Sequence, residues 1–191
     1  MIVYDTLPGR LELNEAARPK APAIPHATDR HRRVGARLGL IHDAHRRELQ
    51  ALRATLDRVA SEGADVGELA VAVGEFGMAR NLQLFGALCG RECSHLQFHH
   101  DIEEGHTFPI MERRGSDGLR LVIAKLREEH EVVHALIAAL HERTASLVKE
   151  PNAAALEAVR EALDRIEEVV HSHFGYEETE LEEALGVHDA L

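Results

Sequence analysis

From Asp29 onward, apolar residues recur at spacings of three and four, and only short connections interrupt the pattern. That combination constrains the chain to helices packed side by side and joined by tight turns. The alternation of β-branched residues that a half-buried strand needs is nearly absent, and Ala, Leu, Glu and Arg dominate. Thr28 or Asp29 can cap a first helix that runs to about Ala60 and stops at Ser61-Glu62-Gly63. Asp65, with Glu68 three residues later, offers a capping-box start for a second. Arg113-Arg114-Gly115-Ser116-Asp117 closes that stretch, and a third helix starts near Gly118. Glu150-Pro151-Asn152 separates it from a fourth, which fades near Gly186. The expected fold is all-α, an up-down antiparallel four-helix bundle over 28–191. Residues 1–27 hold Pro8, Pro19, Pro22 and Pro25 with little periodic pattern, and read as an extended N-terminal arm.

The inward stripes carry an anomaly. The chain has 14 His against two Tyr, five Phe and no Trp, and several of these histidines stand where Leu belongs. His42 and His45 fall on the stripe of Leu38, Leu49, Leu52, Leu56 and Val59. His130 shares a face with Leu119, Ile123, Leu126, Val133, Ile137 and Leu140, while Val159, Leu163, Ile166 and Val170 lead to His173. Three pairs have a spacing of four: His99 with Glu103, His130 with His134, and His173 with Glu177. Residues so spaced lie one turn apart on one face, and each pair can present two donor atoms to one point. Imidazole with carboxylate suits first-row metals such as iron.

Chain lengths bring these groups to a common height. Met111 lies 12 residues beyond His99, and His130 lies 12 beyond Gly118, so both sit about 18 Å from their shared turn. The 19 residues from His130 to Lys149 match the 21 from Asn152 to His173 to within about 3 Å. The first connection does not balance: His42 stands 18 residues before Ala60, but Asp65 stands 34 before His99. The surplus amounts to about 24 Å of helix, so an extra or bent helical segment is expected around 65–98, where Gly74, Gly77, Gly86 and Gly90 lie. Buried carboxylates cost several kcal/mol each unless something cationic neutralises them. The expected metal ligands are His42, His99, Glu103, His130, His134, His173 and Glu177. The register of 100/104 satisfies the same spacing as 99/103; the latter is preferred because Leu88, Leu96 and Ile110 lie on its face. His45 and His106 are alternative ligands or supporting partners, and Tyr176 projects beside His173.

Composition narrows the function. A formal charge of −11 disfavours nucleic acid and anionic membranes, both of which need a basic face. No stretch has the length of a membrane span, and residues 1–25 lack the apolar centre of a signal peptide. Cys89 and Cys93 cannot build a disulfide framework, so the expected compartment is the cytoplasm.

These motifs resemble the hemerythrin-like (HHE cation-binding) family. The resemblance rests on Ile41-His42-Asp43 with Arg47-Glu48-Leu49, on His99-His100-x-x-Glu103-Glu104 with Phe108-Pro109, on Glu129-His130, and on His173-Phe174-x-x-Glu177-Glu178. It implies two non-heme iron ions, oxo- or hydroxo-bridged. One would be held by His130, His134 and His173 and the other by His42 and His99, with Glu103 and Glu177 bridging. It also implies a free position for a small diatomic or peroxide ligand (dioxygen, peroxide or nitric oxide). Two functions follow: catalase- or peroxidase-like chemistry, or a non-catalytic sensor of oxygen, iron or redox state. The spacing of four in the final pair, one shorter than in oxygen-carrying members, and the long His42–His99 separation mark a divergent, non-carrier member.

Overall fold

The computed structural model describes residues 13–62, 66–67, 69–71 and 96–191, and these contain helices but no strand. Most of 65–98, including the expected bend, Leu88, Cys89 and Cys93, lies outside the described residues. No helix among the described residues is long and apolar enough to cross a membrane.

The first helical stretch is two helices rather than one. Helix α1 (Asp29–Gly35) starts in a capping box: the Thr28 side chain accepts from His31 N at 3.4 Å, and Thr28 N donates to His31 Nδ1 at 3.2 Å. The chain then tightens at Ala36–Arg37, where Gly39 N reaches Ala36 O at 3.2 Å and Leu40 N reaches Arg37 O at 3.0 Å. Helix α2 (Leu38–Glu62) follows. The break accompanies a very close crossing. A Cβ at Gly35 would stand 1.9 Å from Glu182 O, and one at Gly186 would stand 2.0 Å from His31 O. Paired glycines let α1 touch the C-terminal helix backbone to backbone, while α2 takes its own line past the same helix.

Helix α3 (Leu96–Ile102) continues through a π-helical turn, Glu103–Thr107, into α4 (Phe108–Arg114). The widened turn is closed by Phe108 N–H donating to Glu103 O, a five-residue step. Pro109 supplies the cause. It has no N–H for the Gly105 carbonyl four residues back, and its ring would crowd that carbonyl in a regular helix. The extra residue per turn moves the inward face on by one position. Met111 is fully buried, and Ile110, expected on the His99 face, is only partly so.

Helix α5 (Asp117–Lys149) begins where Ser116 Oγ accepts from Leu119 N at 3.2 Å. Asn152 Oδ1, accepting from Ala155 N at 2.9 Å, caps α6 (Ala153–His188). Helix α6 is the hub, packing against α1, α2, α4 and α5. Two apolar clusters fill the interior. One joins Leu49, Leu52, Leu56, Leu96, Val133, Leu140, Ile166, Val170 and Phe174. The other joins Leu38, Phe108, Met111, Ile123, Leu126, Tyr176 and Leu181. Between them, at the level of His42, His99, His130 and His173, the core turns polar.

Candidate metal centre

Five elements of local structure aim side chains at one point. His42 comes from α2, His99 and His100 from α3, Glu103 from the start of the π turn, His130 from α5, and His173 and Glu177 from one face of α6. All seven are buried. His42, His99, Glu103 and Glu177 form one group whose donor atoms lie within 4.8 Å of one another, and His100, His130 and His173 form a second. The carboxylates join the groups. Glu103 Oε1 stands 3.4 Å from His99 Nε2, and its Oε2 stands 3.5 Å from His130 Nε2. Glu177 Oε2 stands 3.3 Å from His42 Nε2 and 3.7 Å from His173 Nε2, with Oε1 4.0 Å from His130 Nε2.

Outside this cage, hydrogen bonds fix how the imidazoles are protonated. His42 Nδ1–H donates to Glu178 Oε1 at 2.8 Å, His130 Nδ1–H to Glu104 Oε1 at 2.9 Å, and His173 Nδ1–H to Glu129 Oε2 at 3.1 Å. A carboxylate can only accept, so in each neutral ring the proton sits on Nδ1 and the Nε2 lone pair faces inward. Every supporting carboxylate is in turn held by an arginine: Arg46 Nη2 at 2.8 Å from Glu178, Arg127 Nε at 2.6 Å from Glu104, and Arg18 Nε at 2.8 Å from Glu129. Such Arg–Glu–His chains orient an imidazole and raise its basicity toward a cation. His100 is supported differently, through Nδ1 at 3.0 Å from His134 Nε2, and its ring stacks on His130 at 3.9 Å. Phe174 stacks on His42 with centroids 3.8 Å apart.

Electrostatics follow from burial. Desolvation lowers His99 and His100 well below the ordinary imidazole value; it also lowers His130, despite the bond to Glu104. All three are therefore neutral donors at neutral pH. Burial, with the neighbouring Glu177 charge, pushes the Glu103 carboxyl well up. Burial would raise Glu177 too, but the imidazoles of His173, His42 and His130 outweigh it and hold that carboxyl down.

The donor set fits a cation. Among the described residues, the buried side-chain atoms without a hydrogen-bond partner are Thr144 Oγ1 and six atoms of this cluster: Nε2 of His100, His130 and His173, Glu103 Oε2, and both oxygens of Glu177. An unpaired buried polar group costs about 1–3 kcal/mol, against a total stability of about 5–15 kcal/mol for a domain. Six at one point are tolerable when a Lewis acid takes their lone pairs.

Of the residues nominated by spacing, His42, His99, Glu103, His130, His173 and Glu177 meet here, and His134 does not. It lies half-buried behind His100, and its Nε2 faces that ring's Nδ1. His100 occupies the inward place instead. Consecutive helix residues diverge by about 100°, so His99 and His100 address different groups, and the two registers 99/103 and 100/104 are not alternatives. Glu104 supports His130 from outside. His45 is buried beside His99, with ring centroids 5.2 Å apart and Nδ1 3.2 Å from Glu48. His106 is exposed. Tyr176 turns away: its hydroxyl donates to Pro19 O at 2.7 Å. The doubled Glu103-Glu104, Glu128-Glu129 and Glu177-Glu178 were the available signal for the supporting carboxylates, since one of each pair must face differently from its neighbour.

A family model, the hemerythrin HHE cation binding domain, matches residues 33–185, most of the chain. Searches of curated proteins and of solved structures returned no match.

Proposed function

Because the chain belongs to the hemerythrin HHE cation-binding domain family, we propose that the cluster holds two non-heme iron ions, oxo- or hydroxo-bridged, and that dioxygen, peroxide or nitric oxide binds and reacts there. The proposal includes an up-down four-helix arrangement around the ions. The observation that carries it is the convergence of five inward imidazoles on two shared carboxylates, with six of their atoms unpaired. Five nitrogens and two bridging carboxylates exceed what a closed tetrahedral zinc site uses, and they suit octahedral iron. When bound, iron would supply Lewis acidity and one-electron redox chemistry.

The chain's own residues do the rest. Three imidazoles would hold one ion and two the other, so the His42/His99 side would be the one open to an external ligand. Glu103 and Glu177, each facing imidazoles of both groups, would be shared between the ions and offset their charge. Glu178, Glu104 and Glu129 keep the Nδ1 protons of His42, His130 and His173 in place, so that the inward nitrogens stay free of protons. Phe174, Phe108 and the two apolar clusters exclude bulk water, which strengthens electrostatic interactions inside.

The test is metal analysis of the purified protein followed by addition of hydrogen peroxide. Two irons per chain with sustained oxygen evolution supports a catalase-like activity. A stable, reversible spectral change under oxygen without turnover identifies a sensor or carrier and overturns the enzymatic part. Absence of bound iron overturns the whole.

A further inference from the structure

The family match begins at residue 33, yet one support of the cluster comes from before it. We propose that Arg18, in the segment preceding the helices, is a positioning residue for the ion held by His100, His130 and His173, acting through Glu129; this rests on the metal-binding reading above. Arg18 grips Glu129 with two parallel bonds, Nε to Oε1 at 2.8 Å and Nη2 to Oε2 at 2.9 Å. The same Oε2 accepts from His173 Nδ1 at 3.1 Å. The Glu129 side chain is 1% exposed and that of Arg18 12%, so the pair is shielded from water and from salt. A bidentate guanidinium leaves a carboxylate little freedom to rotate, and Glu129 is what fixes the plane and tautomer of His173.

The segment is built to deliver that guanidinium. Arg18 Nη1 donates to Ser172 Oγ at 2.9 Å, and its guanidinium lies over the Tyr176 ring at 4.7 Å. Beyond it, Tyr176 holds Pro19 O, Glu180 accepts from Ala21 N at 2.6 Å, and Glu183 accepts from Ile24 N at 2.9 Å. Ser172, Tyr176, Glu180 and Glu183 follow spacings of four, four and three, one face of α6. On the other side, Pro22 fits against Gly118, where a Cβ would stand 2.5 Å from the proline ring. The comparable cations on Glu104 and Glu178, Arg127 and Arg46, lie inside the matched region. Arg18 alone of the three reaches the site from a separate piece of chain.

Cobalt(II) titration of the metal-free full-length protein, followed by its visible d–d absorption, tests this. Arg18→Ala is expected to weaken one of two cobalt sites by about 10–100-fold and to alter its band, while Arg18→Lys recovers part of the loss. If Arg18 acts through Glu129, Arg18→Ala combined with Glu129→Gln loses no more than Glu129→Gln alone. Gly118→Val, which dislodges Pro22 without touching the cluster, should weaken the same site. Should Arg18→Ala disturb folding, seen as lost helical circular dichroism without metal, Arg18→Lys and Gly118→Val carry the test. Wild-type titration by Arg18→Ala, or strict additivity with Glu129→Gln, overturns the proposal while leaving the metal site intact. Failure of the wild type itself to bind cobalt overturns the metal reading.

Discussion

The two donor groups share their carboxylates but differ in composition and in how they are supported. His100, His130 and His173 present three inward nitrogens from three elements, each with its outer nitrogen engaged by His134, Glu104 or Glu129. The other group has two imidazoles, held by ring contacts: His42 lies flat on Phe174, and His99 lies against His45. The first resembles an anchor whose ligands are fixed before an ion arrives. The second has one imidazole fewer, and on the proposed reading that deficit would leave a position for an external ligand. Five imidazoles are thus distributed unequally over two groups that share Glu103 and Glu177.

The largest expected effect comes from abolishing what the halves have in common. Glu177→Ala should bring metal content from two ions per chain to near none, because its oxygens face His42, His130 and His173; retention of one ion would show that the halves are independent. Next, His100→Ala should empty the three-imidazole side, whereas His134→Ala should keep both ions and weaken that side by only about 10–100-fold. Equal losses would place His134 inside the cage.

Metal-free protein should be acid-sensitive. His99, His100 and His130 have folded values below the ordinary 6.5, so below that pH the unfolded chain binds more protons and stability falls. Each such group contributes up to about 1.4 kcal/mol per pH unit. Glu103 opposes this, since its raised carboxyl takes up a proton in the folded state first, but one carboxyl stands against three imidazoles. The melting temperature without metal should drop by several degrees between pH 7 and 5.5, and a bound metal should move that drop to lower pH. A flat profile would mean that the imidazoles are hydrated. At the small end, His188→Ala at the last position of α6 should leave metal content unchanged in both halves.

Much of this arrangement is legible in the amino-acid order where the relevant interactions are local. The helix starts at Ser116 and Asn152, the apolar stripes, and the pairs His99/Glu103 and His173/Glu177 all follow from neighbours within four positions. The exceptions are non-local or depend on altered helix geometry. A regular helix offers no reason for both His99 and His100 to matter; two separate groups on either side of α3 do. Pro109 widens the preceding turn and shifts burial from Ile110 to Met111. Arg18 and Glu129 are 111 residues apart, and no periodicity links them. The break at Ala36–Arg37 accompanies a glycine-to-backbone contact with α6 that only the assembled fold makes.

Mössbauer spectroscopy of the protein reconstituted with iron-57 addresses the unequal pair directly. Two quadrupole doublets of equal area, with His42→Ala removing one and His100→Ala the other, are the predicted result. A single doublet from equivalent irons, or one iron per chain unaffected by His42→Ala, would contradict it.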